Sequence, residues 1–346
     1  MTASSMPAVR WHARGDVRID EVPVPTPGPG QVLIAVEACG ICGTDLEEVR
    51  SGPIDVPVVR PHPLTGAMAP ITLGHEVLGT VAAAGPGTRA RLGQRVIPDV
   101  VLGCGACWWC QRHQQGICEQ RAVRGMHTDG GLASYMIADA DTLVAVPAEL
   151  ATEVAVLAEP VSVAVRAIRK AGDLAGARAI VLGLGTVGNL LVRVLRRYGV
   201  AVTGLEPDPG RRLLAQDAGT DVAASASDLQ PGADVVFECS GAAGAAEAAL
   251  AVLRPGGLLV MVGIAHQPIS IDPATLVVAE QRIAGSAAHL WDEDVTVAVR
   301  LLADGLVDQE RFPTQSLALA DIAGVLVGEQ PAGAVLKTIA RPPLAG

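Results

Sequence analysis

The chain has 346 residues, of which 50% are hydrophobic and 18% are charged, and its formal net charge at pH 7 is −10. This length exceeds one ordinary hydrophobic core, so two domains are expected. The acidic charge excludes a general nucleic-acid-binding role, because such proteins need a basic face. An apolar run of about 18 residues, which could span a bilayer, is not found. Residues 1–18 lack the pattern of a secretory signal.

The first 150 residues contain short apolar runs separated by Pro and Gly. Strands are predicted at Val32–Val36, Val77–Ala84 and Gln94–Pro98. Short strands with intervening long loops are typical of an antiparallel, barrel-like β domain whose loops form functional sites.

From about Ala164 the sequence alternates between strand and helix patterns. The predicted strands are Arg178–Leu182, Val200–Leu205, Asp234–Cys239 and Leu258–Val262. The predicted helices are Thr186–Tyr198, closed by Gly199, and Ala242–Leu253, ended by Pro255-Gly256-Gly257. This alternation predicts an α/β fold with a parallel sheet that is covered on both faces.

An amphipathic helix follows from about Trp291 and is stopped by Gly305, and a final strand is predicted at Ala334–Ala340. We expect this tail to return to the first domain and complete it. The expected division is therefore residues 1–156 with 293–346 for the first domain, and residues 157–292 for the second.

The segment Gly183-Leu184-Gly185-Thr186-Val187-Gly188 has the form G-x-G-x-x-G between a predicted strand and a predicted helix. Glycines at these positions allow a tight turn and close approach of a pyrophosphate to the helix N-terminus. Glu206 ends the next strand, where an acidic residue binds the adenosine ribose and repels a 2′-phosphate. NAD is thus favoured over NADP, although Arg211 and Arg212 could weaken the preference. For the glycine segment, the alternative is a turn that binds no ligand. For Glu206, the alternative is an ordinary surface carboxylate.

The chain has seven cysteines, and their clustering indicates thiols kept for metal in a cytoplasmic protein. Separations of two, two and seven residues suit a closed tetrahedral zinc site that stabilises a loop. Four free thiols or a redox pair are the alternatives. The four residues concerned are Cys104, Cys107, Cys110 and Cys118.

A second set of potential zinc ligands is dispersed along the chain, at Cys42, His75, Glu76 and Glu159. A catalytic zinc takes three protein ligands and keeps one position open. Taken singly, each residue also has a structural interpretation: a packed thiol, a hydrogen-bonded loop histidine and a carboxylate at a helix start. Spacing alone does not assemble them into one site.

Several motifs in one order make the sequence resemble the medium-chain, zinc-containing alcohol dehydrogenase superfamily over nearly the whole chain. They are Gly40–Asp45, Gly74–Gly79, the four-cysteine segment, Gly183–Gly188 and Glu238–Gly241. The resemblance is greatest to the polyol and butanediol dehydrogenase branch, through Trp11-His12, Gly52–Ile54, Pro61–Thr65 and Glu159-Pro160. It implies a Rossmann domain together with a GroES-like catalytic domain of the β-barrel type.

The resemblance also implies roles for individual residues. Cys42, His75 and a carboxylate, either Glu76 or Glu159 or both in exchange, would hold the catalytic zinc. Asp45 would orient His75, and Thr44 would receive the substrate proton. These enzymes commonly have a histidine two residues after the aspartate, where this chain has Glu47. Glu47 either ends the proton relay in its place or faces water.

For the cofactor, the resemblance places the nicotinamide at the cleft between domains, near two short segments. Their residues are Cys239, Ser240, Gly241, Val262, Gly263 and Ile264. One catalytic and one structural zinc and a homodimer or homotetramer are expected.

The implied activity is hydride transfer between NAD and a small secondary alcohol or its ketone, such as a vicinal diol of the butanediol and acetoin type. A specialised cyclitol or sugar-like alcohol and threonine are alternative substrates. A zinc-free quinone or enoyl reductase is a rival class, but its members generally lack the cysteine segment and the Cys42/His75 pair. A non-enzymatic binding protein built on the same fold is a second rival class.

Overall fold

The computed structural model describes residues 5–328 and 335–343, without the side chain of Asp217. The chain divides into two compact units. The first contains Met1–Glu159, His289–Ala303 and Pro313–Gly346, and the second contains Pro160–Ala288 and Asp304–Phe312.

This division differs in detail from the expected one, because the short segment Asp304–Phe312 belongs to the second unit. Two contacts of Arg193 explain the difference. Its Nη2 donates to the carbonyl oxygen of Arg311 at 3.1 Å, and its guanidinium lies 5.6 Å from the ring centroid of Phe312.

The described residues form strands and helices with the following bounds. The strands are β1 (Ser5–Ala13), β2 (Asp16–Pro23), β3 (Gln31–Gly40), β4 (Ile71–Thr72), β5 (Glu76–Ala84), β6 (Arg95–Pro98), β7 (Val101–Leu102), β8 (Ala122–Val123), β9 (Tyr135–Asp139), β10 (Leu143–Ala145), β11 (Arg178–Leu182), β12 (Ala201–Leu205), β13 (Asp221–Ala223), β14 (Ala233–Glu238), β15 (Leu253–Met261), β16 (Arg282–Gly285), β17 (Thr314–Ala318) and β18 (Lys337–Arg341). The helices are α1 (Gly43–Ser51), α2 (Thr152–Ala155), α3 (Ala158–Ala171), α4 (Thr186–Arg197), α5 (Pro209–Asp217), α6 (Ala245–Val252), α7 (Pro273–Val278), α8 (Thr296–Ala303) and α9 (Leu319–Val327). A π-helical turn at Trp291–Val295 precedes α8.

The main sheet of the first unit has the order β10-β6-β5-β3-β18-β17, and β9 also pairs with β3. Alternation along β3 buries Val32, Ile34 and Val36 in the core of this unit. The three strands predicted in this region are confirmed as β3, β5 and β6, although β6 begins at Arg95, one residue later than predicted. Strand β18 pairs antiparallel with β3 and therefore belongs to the main sheet of the first unit. The predicted start of that strand, Ala334, lies outside the described residues.

The second unit contains a six-stranded, wholly parallel sheet in the order β13-β12-β11-β14-β15-β16. In chain order this is 3-2-1-4-5-6, the strand order of a Rossmann fold. The predicted Rossmann sheet is therefore confirmed. Its central strands β11 and β14 read as apolar runs because nearly all of their residues are buried.

The helix α6 ends at Val252, and β15 already begins at Leu253, so the prediction that Pro255-Gly256-Gly257 separates helix from strand was wrong. These residues form an irregularity at the start of the strand instead, where the register with β14 shifts. Gly256 has φ 76°, and its amide donates to the carbonyl oxygen of Ala279 at 2.7 Å. This hydrogen bond gives the irregular segment a partner distant in the chain.

Among the described residues, helices long and apolar enough to cross a membrane are not found.

Candidate metal centres and nucleotide-binding residues

The structure brings together Cys42, His75 and Glu76, whose ligand atoms lie within 4.8 Å of one another. Cys42 is the N-cap of α1, and His75 directly precedes Glu76, the first residue of β5. Antiparallel pairing places Gly40 at the end of β3 opposite Glu76. A Cβ on Gly40 would lie 2.1 Å from Glu76 Oε2, so only glycine allows this approach.

The Asp45 carboxylate contacts two of these residues, Cys42 and His75. Its side chain is fully buried, Oδ2 accepts a hydrogen bond from the Cys42 amide at 2.8 Å, and Oδ1 lies 3.5 Å from His75 Nδ1. Burial alone would lower the pKa of His75, but the charges of Asp45 and Cys42 raise it well above its usual value. The Thr44 hydroxyl lies 3.6 Å from Cys42 Sγ, which places it beside the same group.

Lys337 on β18 forms an ion pair with Glu76 that the motifs do not indicate. Its Nζ lies 2.5 Å from each oxygen of Glu76 and also donates to the carbonyl oxygen of Ile41 at 2.8 Å. Both side chains are buried. Burial raises the pKa of Glu76, and the ammonium of Lys337 opposes this shift. The sequence signal was the single lysine of the predicted final strand.

Glu159, in the first turn of α3, is buried but lies outside the group formed by Cys42, His75 and Glu76. Its Oε1 is 3.4 Å from Nδ1 of His289, and Nε2 of His289 is 3.1 Å from Asp99 Oδ1. Burial alone would raise the pKa of Glu159, but His289 lowers it. Burial would also lower the pKa of His289, but Asp99 and Glu159 raise it to about 10.

The residues at the first centre suit a catalytic zinc. Thiolate, imidazole and carboxylate are the donors that such a metal takes. Two buried polar atoms beside this group, Asp45 Oδ1 and His75 Nδ1, have no hydrogen-bond partner within the described part of the chain. Because these two atoms lie 3.5 Å from each other, Nε2 is the His75 nitrogen left for a metal, which fits a zinc site.

The Glu47 side chain is half-buried on α1, three residues after Thr44 and therefore on the same side of the helix. Its neighbour Glu48, which the motifs do not indicate, is buried and organises the next loop. Its carboxylate accepts hydrogen bonds from the amides of Ile54, at 3.0 Å, and Asp55, at 2.8 Å. Glu48 thus fixes the segment that follows α1.

The four-cysteine segment forms a second potential metal centre. The Sγ atoms of Cys104, Cys107, Cys110 and Cys118 lie within 4.8 Å of one another and form no disulfide. The Cys107 and Cys118 sulfurs are 3.7 Å apart. Tetrahedral zinc with Zn–S bonds near 2.3 Å separates its sulfurs by ~3.8 Å.

Backbone amides lower the pKa of Cys104 and Cys107 and so favour their thiolates, whereas burial raises the pKa of Cys110 to about 12. Cys118 Sγ accepts from the amides of Cys104 and Gln120, both at 3.3 Å. Amides of Cys110 and Glu119 lower the pKa of Cys107 to about 6. Because thiolates are the form that binds metal, these bonds prepare the site for zinc.

In the second unit, Gly183–Gly188 connects β11 to α4 as the sequence predicted. Gly183 has φ 84°, and a Cβ on Gly188 would meet the Gly183 carbonyl oxygen at 1.9 Å, so the fold itself requires both glycines. Gly185 differs, because its φ is −63° and a Cβ there would meet nothing within 4 Å. Protein contacts do not explain this glycine, whereas close approach of a pyrophosphate does.

The expected cofactor residues lie at the carboxyl ends of neighbouring parallel strands. Glu206, after β12, is 5% exposed and accepts from the amides of Leu184 at 2.8 Å and Asp208 at 3.0 Å. Arg211 is exposed at the start of α5, while Arg212 donates to the Glu206 carbonyl oxygen at 2.9 Å. The carboxyl edge of such a sheet is where nucleotides bind.

Glu238, the buried last residue of β14, organises the other part of this edge. Its Oε1 accepts from the amides of Ser240 at 2.7 Å and Gly241 at 3.0 Å, and from the Ser240 hydroxyl. Its carbonyl oxygen accepts from the amides of Val262 and Gly263, both at 2.8 Å. The two expected nicotinamide segments, Cys239–Gly241 and Val262–Ile264, are therefore adjacent.

Known proteins similar to this chain agree with these observations. The alcohol dehydrogenase GroES-like domain family matches residues 28–148, and the zinc-binding dehydrogenase family matches residues 186–304. The chain is 32% identical to (R,R)-butanediol dehydrogenase from Bacillus subtilis over 97% of this chain and 100% of that protein. It is 34% identical to L-threonine 3-dehydrogenase from Pyrococcus furiosus over 82% of this chain and 83% of that protein.

Among solved structures, a zinc-binding dehydrogenase from Sinorhizobium meliloti bound to NADP superimposes with a TM-score of 0.88. It is 28% identical, and the match covers 98% of this chain and 100% of that one. Together with the GroES-like and Rossmann units and the two potential zinc centres, these similarities show that the chain belongs to the zinc-containing medium-chain alcohol dehydrogenase family and is an alcohol dehydrogenase.

Proposed function

We propose that this alcohol dehydrogenase transfers hydride between NAD and a small secondary alcohol of the vicinal diol or polyol type. The observation that supports it best is the group Cys42, His75 and Glu76, set against the buried Asp45. The similarity to a butanediol dehydrogenase over the full length of both chains supports a diol substrate.

In this proposal Cys42, His75 and a carboxylate hold the catalytic zinc, while the four-cysteine segment holds the structural zinc. His75 directs Nδ1 at Asp45, so Nε2 is the nitrogen left for the metal. Glu76 and Glu159 are the candidate carboxylates, and either one, or both in exchange, would hold the metal. When bound, zinc supplies a Lewis acid that lowers the pKa of the substrate hydroxyl.

The chain's own residues then handle the proton and the cofactor. Thr44 accepts the substrate proton through its hydroxyl, and Glu47 on the same side of α1 passes it towards solvent. At the nucleotide site, the α4 N-terminus and Gly185 receive the pyrophosphate, and Glu206 faces the ribose. Cys239–Gly241 and Val262–Ile264 would hold the nicotinamide end of the nucleotide, which would supply the acceptor for the hydride of the carbinol carbon.

The similarity to an L-threonine 3-dehydrogenase supports a second candidate substrate, an aminohydroxy acid. A specialised cyclitol or sugar-like alcohol is a third. All three use the same zinc and nicotinamide chemistry, so they differ only in which groups flank the carbinol carbon.

NADH formation measured across diols, sugar alcohols, threonine and simple secondary alcohols, with and without a chelator, tests this proposal. We expect chelator-sensitive turnover to be fastest with one diol class. Cys42→Ser should abolish turnover and remove one of the two zinc ions while leaving NAD binding intact. Unchanged turnover in Cys42→Ser, or fastest turnover of threonine, would contradict the zinc assignment and the diol assignment respectively.

A further inference from the structure

Two histidines that the proposed function does not use are packed against each other in the first unit. The rings of His62 and His127 meet edge to face, with their centroids 4.6 Å apart. His62 lies in the Pro61–Thr65 motif, within the long segment that follows α1, and His127 lies in the turn after β8. The pair therefore joins two loops that are distant in the chain.

Each ring uses its Nδ1 atom as a hydrogen-bond acceptor. The Leu64 amide donates to His62 Nδ1 at 3.3 Å, and the Val123 amide donates to His127 Nδ1 at 3.1 Å. A ring nitrogen that accepts from an amide carries no proton, so both rings are neutral and carry their proton on Nε2. Protonation of a ring would place a second hydrogen on Nδ1, directly against the amide hydrogen, and would break that bond.

The loop that carries His62 is compact, and a further bond attaches it to the same turn. The His62 amide donates to the Ala67 carbonyl oxygen at 3.0 Å, and the Gly66 amide donates to the His62 carbonyl oxygen at 2.8 Å. The Thr65 hydroxyl donates to the His127 carbonyl oxygen at 2.5 Å. A movement of the His127 turn would therefore disturb both the ring contact and the Thr65 bond.

The surroundings of both rings favour the neutral form. Burial lowers the pKa of His127 and that of His62. Asp55, whose Oδ1 lies 4.0 Å from His127 Nε2, raises the pKa of His127, whereas His62 and Arg121 lower it further. A backbone group of Arg121 raises the pKa of His62. Burial outweighs the opposing effects at both rings, and two charged rings in contact would also repel each other.

We propose that His62 and His127 form a pH-sensitive latch, which holds segment 53–68 against the turn 123–128 while both rings are neutral and releases it when they are protonated. The latch lies in the first unit alone and is independent of the zinc and cofactor assignments. Because the folded pKa of each ring lies below the unfolded value of about 6.5, the open segment binds protons more readily than the latched one. The latch is thus complete above pH ~6.5 and weakens as pH falls through the folded pKa.

Hydrogen exchange of the Leu64 and Val123 amides measures the latch directly, because these amides donate to the two rings. Exchange of each amide is expressed as a protection factor, which removes the pH dependence of the chemical exchange rate. A ring that titrates with a pKa of about 6.5 when open should lower the protection of its amide by up to about 25-fold between pH 7 and pH 5. The Leu73 amide, which donates to the Val9 carbonyl oxygen at 3.1 Å, is a control whose protection should stay constant.

The double variant His62→Asn/His127→Asn keeps the acceptors and removes the titration. The asparagine side-chain oxygen can accept from the same amides and has no proton to gain between pH 7 and pH 5. At residue 62 this bond would be an ordinary Asx-turn, since its donor is two residues further on. We expect the protection of both amides to change by less than about threefold over this pH range. A matched control is His12→Asn, since His12 contacts Asp20 outside the latch, and it should keep the wild-type pH dependence.

Protection of Leu64 and Val123 that does not change between pH 7 and pH 5 in the wild-type protein would overturn the proposal. Wild-type pH dependence in the double variant would do the same, because the histidines would then not be its cause. Long-range nitrogen NMR gives the tautomers, and a proton on Nδ1 of either neutral ring at pH 7 would also refute the latch. The exchange and tautomer measurements on the wild-type protein decide the question even if the double variant does not fold.

Discussion

Glu206 fixes the glycine loop in the structure and is proposed to select the cofactor, and one pair of substitutions separates these two roles. Its oxygens accept from the amides of Leu184 and Asp208, which fixes the glycine loop, and its negative charge is expected to repel the 2′-phosphate of NADP. Two like charges about 4 Å apart repel by ~4 kcal/mol at an effective dielectric near 20. That energy corresponds to about a 1,000-fold preference for NAD. The dielectric value suits a carboxylate that is only 5% exposed.

Glu206→Gln removes the charge, and Glu206→Asp keeps it on a shorter side chain. Each weakens the bonds to the loop, and each should cost about 1–3 kcal/mol of stability. Only Glu206→Gln should lower the ratio of kcat/KM for NAD to that for NADP, by up to about 1,000-fold. The assay is steady-state kinetics with both cofactors on one substrate, with thermal unfolding as the measure of stability. A ratio that changes by less than about threefold, ~0.6 kcal/mol, would refute the assignment of Glu206 to the ribose.

Three further predictions concern stability. Cys107→Ser should remove the structural zinc and lower Tm, as checked by zinc content and calorimetry; an unaltered Tm would exclude a stabilising metal there. Lys337→Met should cost about 3–5 kcal/mol because it leaves Glu76 buried and uncompensated, whereas Lys337→Met/Glu76→Leu should be close to neutral in urea unfolding; equal losses in both variants would contradict this. Burial alone would raise the pKa of Glu37, but hydrogen bonds with Arg95 lower it. The ionised Glu37 side chain therefore stabilises the folded protein above pH ~4.3, the unfolded pKa, and this stabilisation is lost as pH falls through the lower folded pKa. Glu37→Gln should therefore be less stable than wild type at pH 6, and the two curves should converge in acid; a pH-independent gap would show that the charge is unimportant.

Local signals were sufficient for most of the fold. Alternation in β3, apolar runs in β11 and β14, and the helix ended by Gly199 all depend on neighbours within a few residues. Misplacing the start of β15 had a local cause too. Pro255-Gly256-Gly257 resembles a connecting loop, and the long-range bond from Gly256 to Ala279 is not apparent from the local sequence.

The candidate metal centres illustrate the limit of such signals. The four-cysteine segment was predictable because its ligands lie within fifteen positions and their spacing alone brings the sulfurs together. Cys42 and His75 are far apart in the chain and are brought together by the pairing of β3 with β5. Before the structure, only the family resemblance connected them. Spacing gave no reason to prefer Glu76 or Glu159, and the structure separates the two by their partners.

The sequence by itself thus determined the two fold types, the glycine loop and the cysteine segment, because each depends on residues that are close together in the chain. Only the tertiary structure decided which distant charges share a buried space: Lys337 with Glu76, and His289 with Asp99 and Glu159. The physical reason is that a buried ionisable group needs a partner, and the packing of remote segments decides which partner it meets.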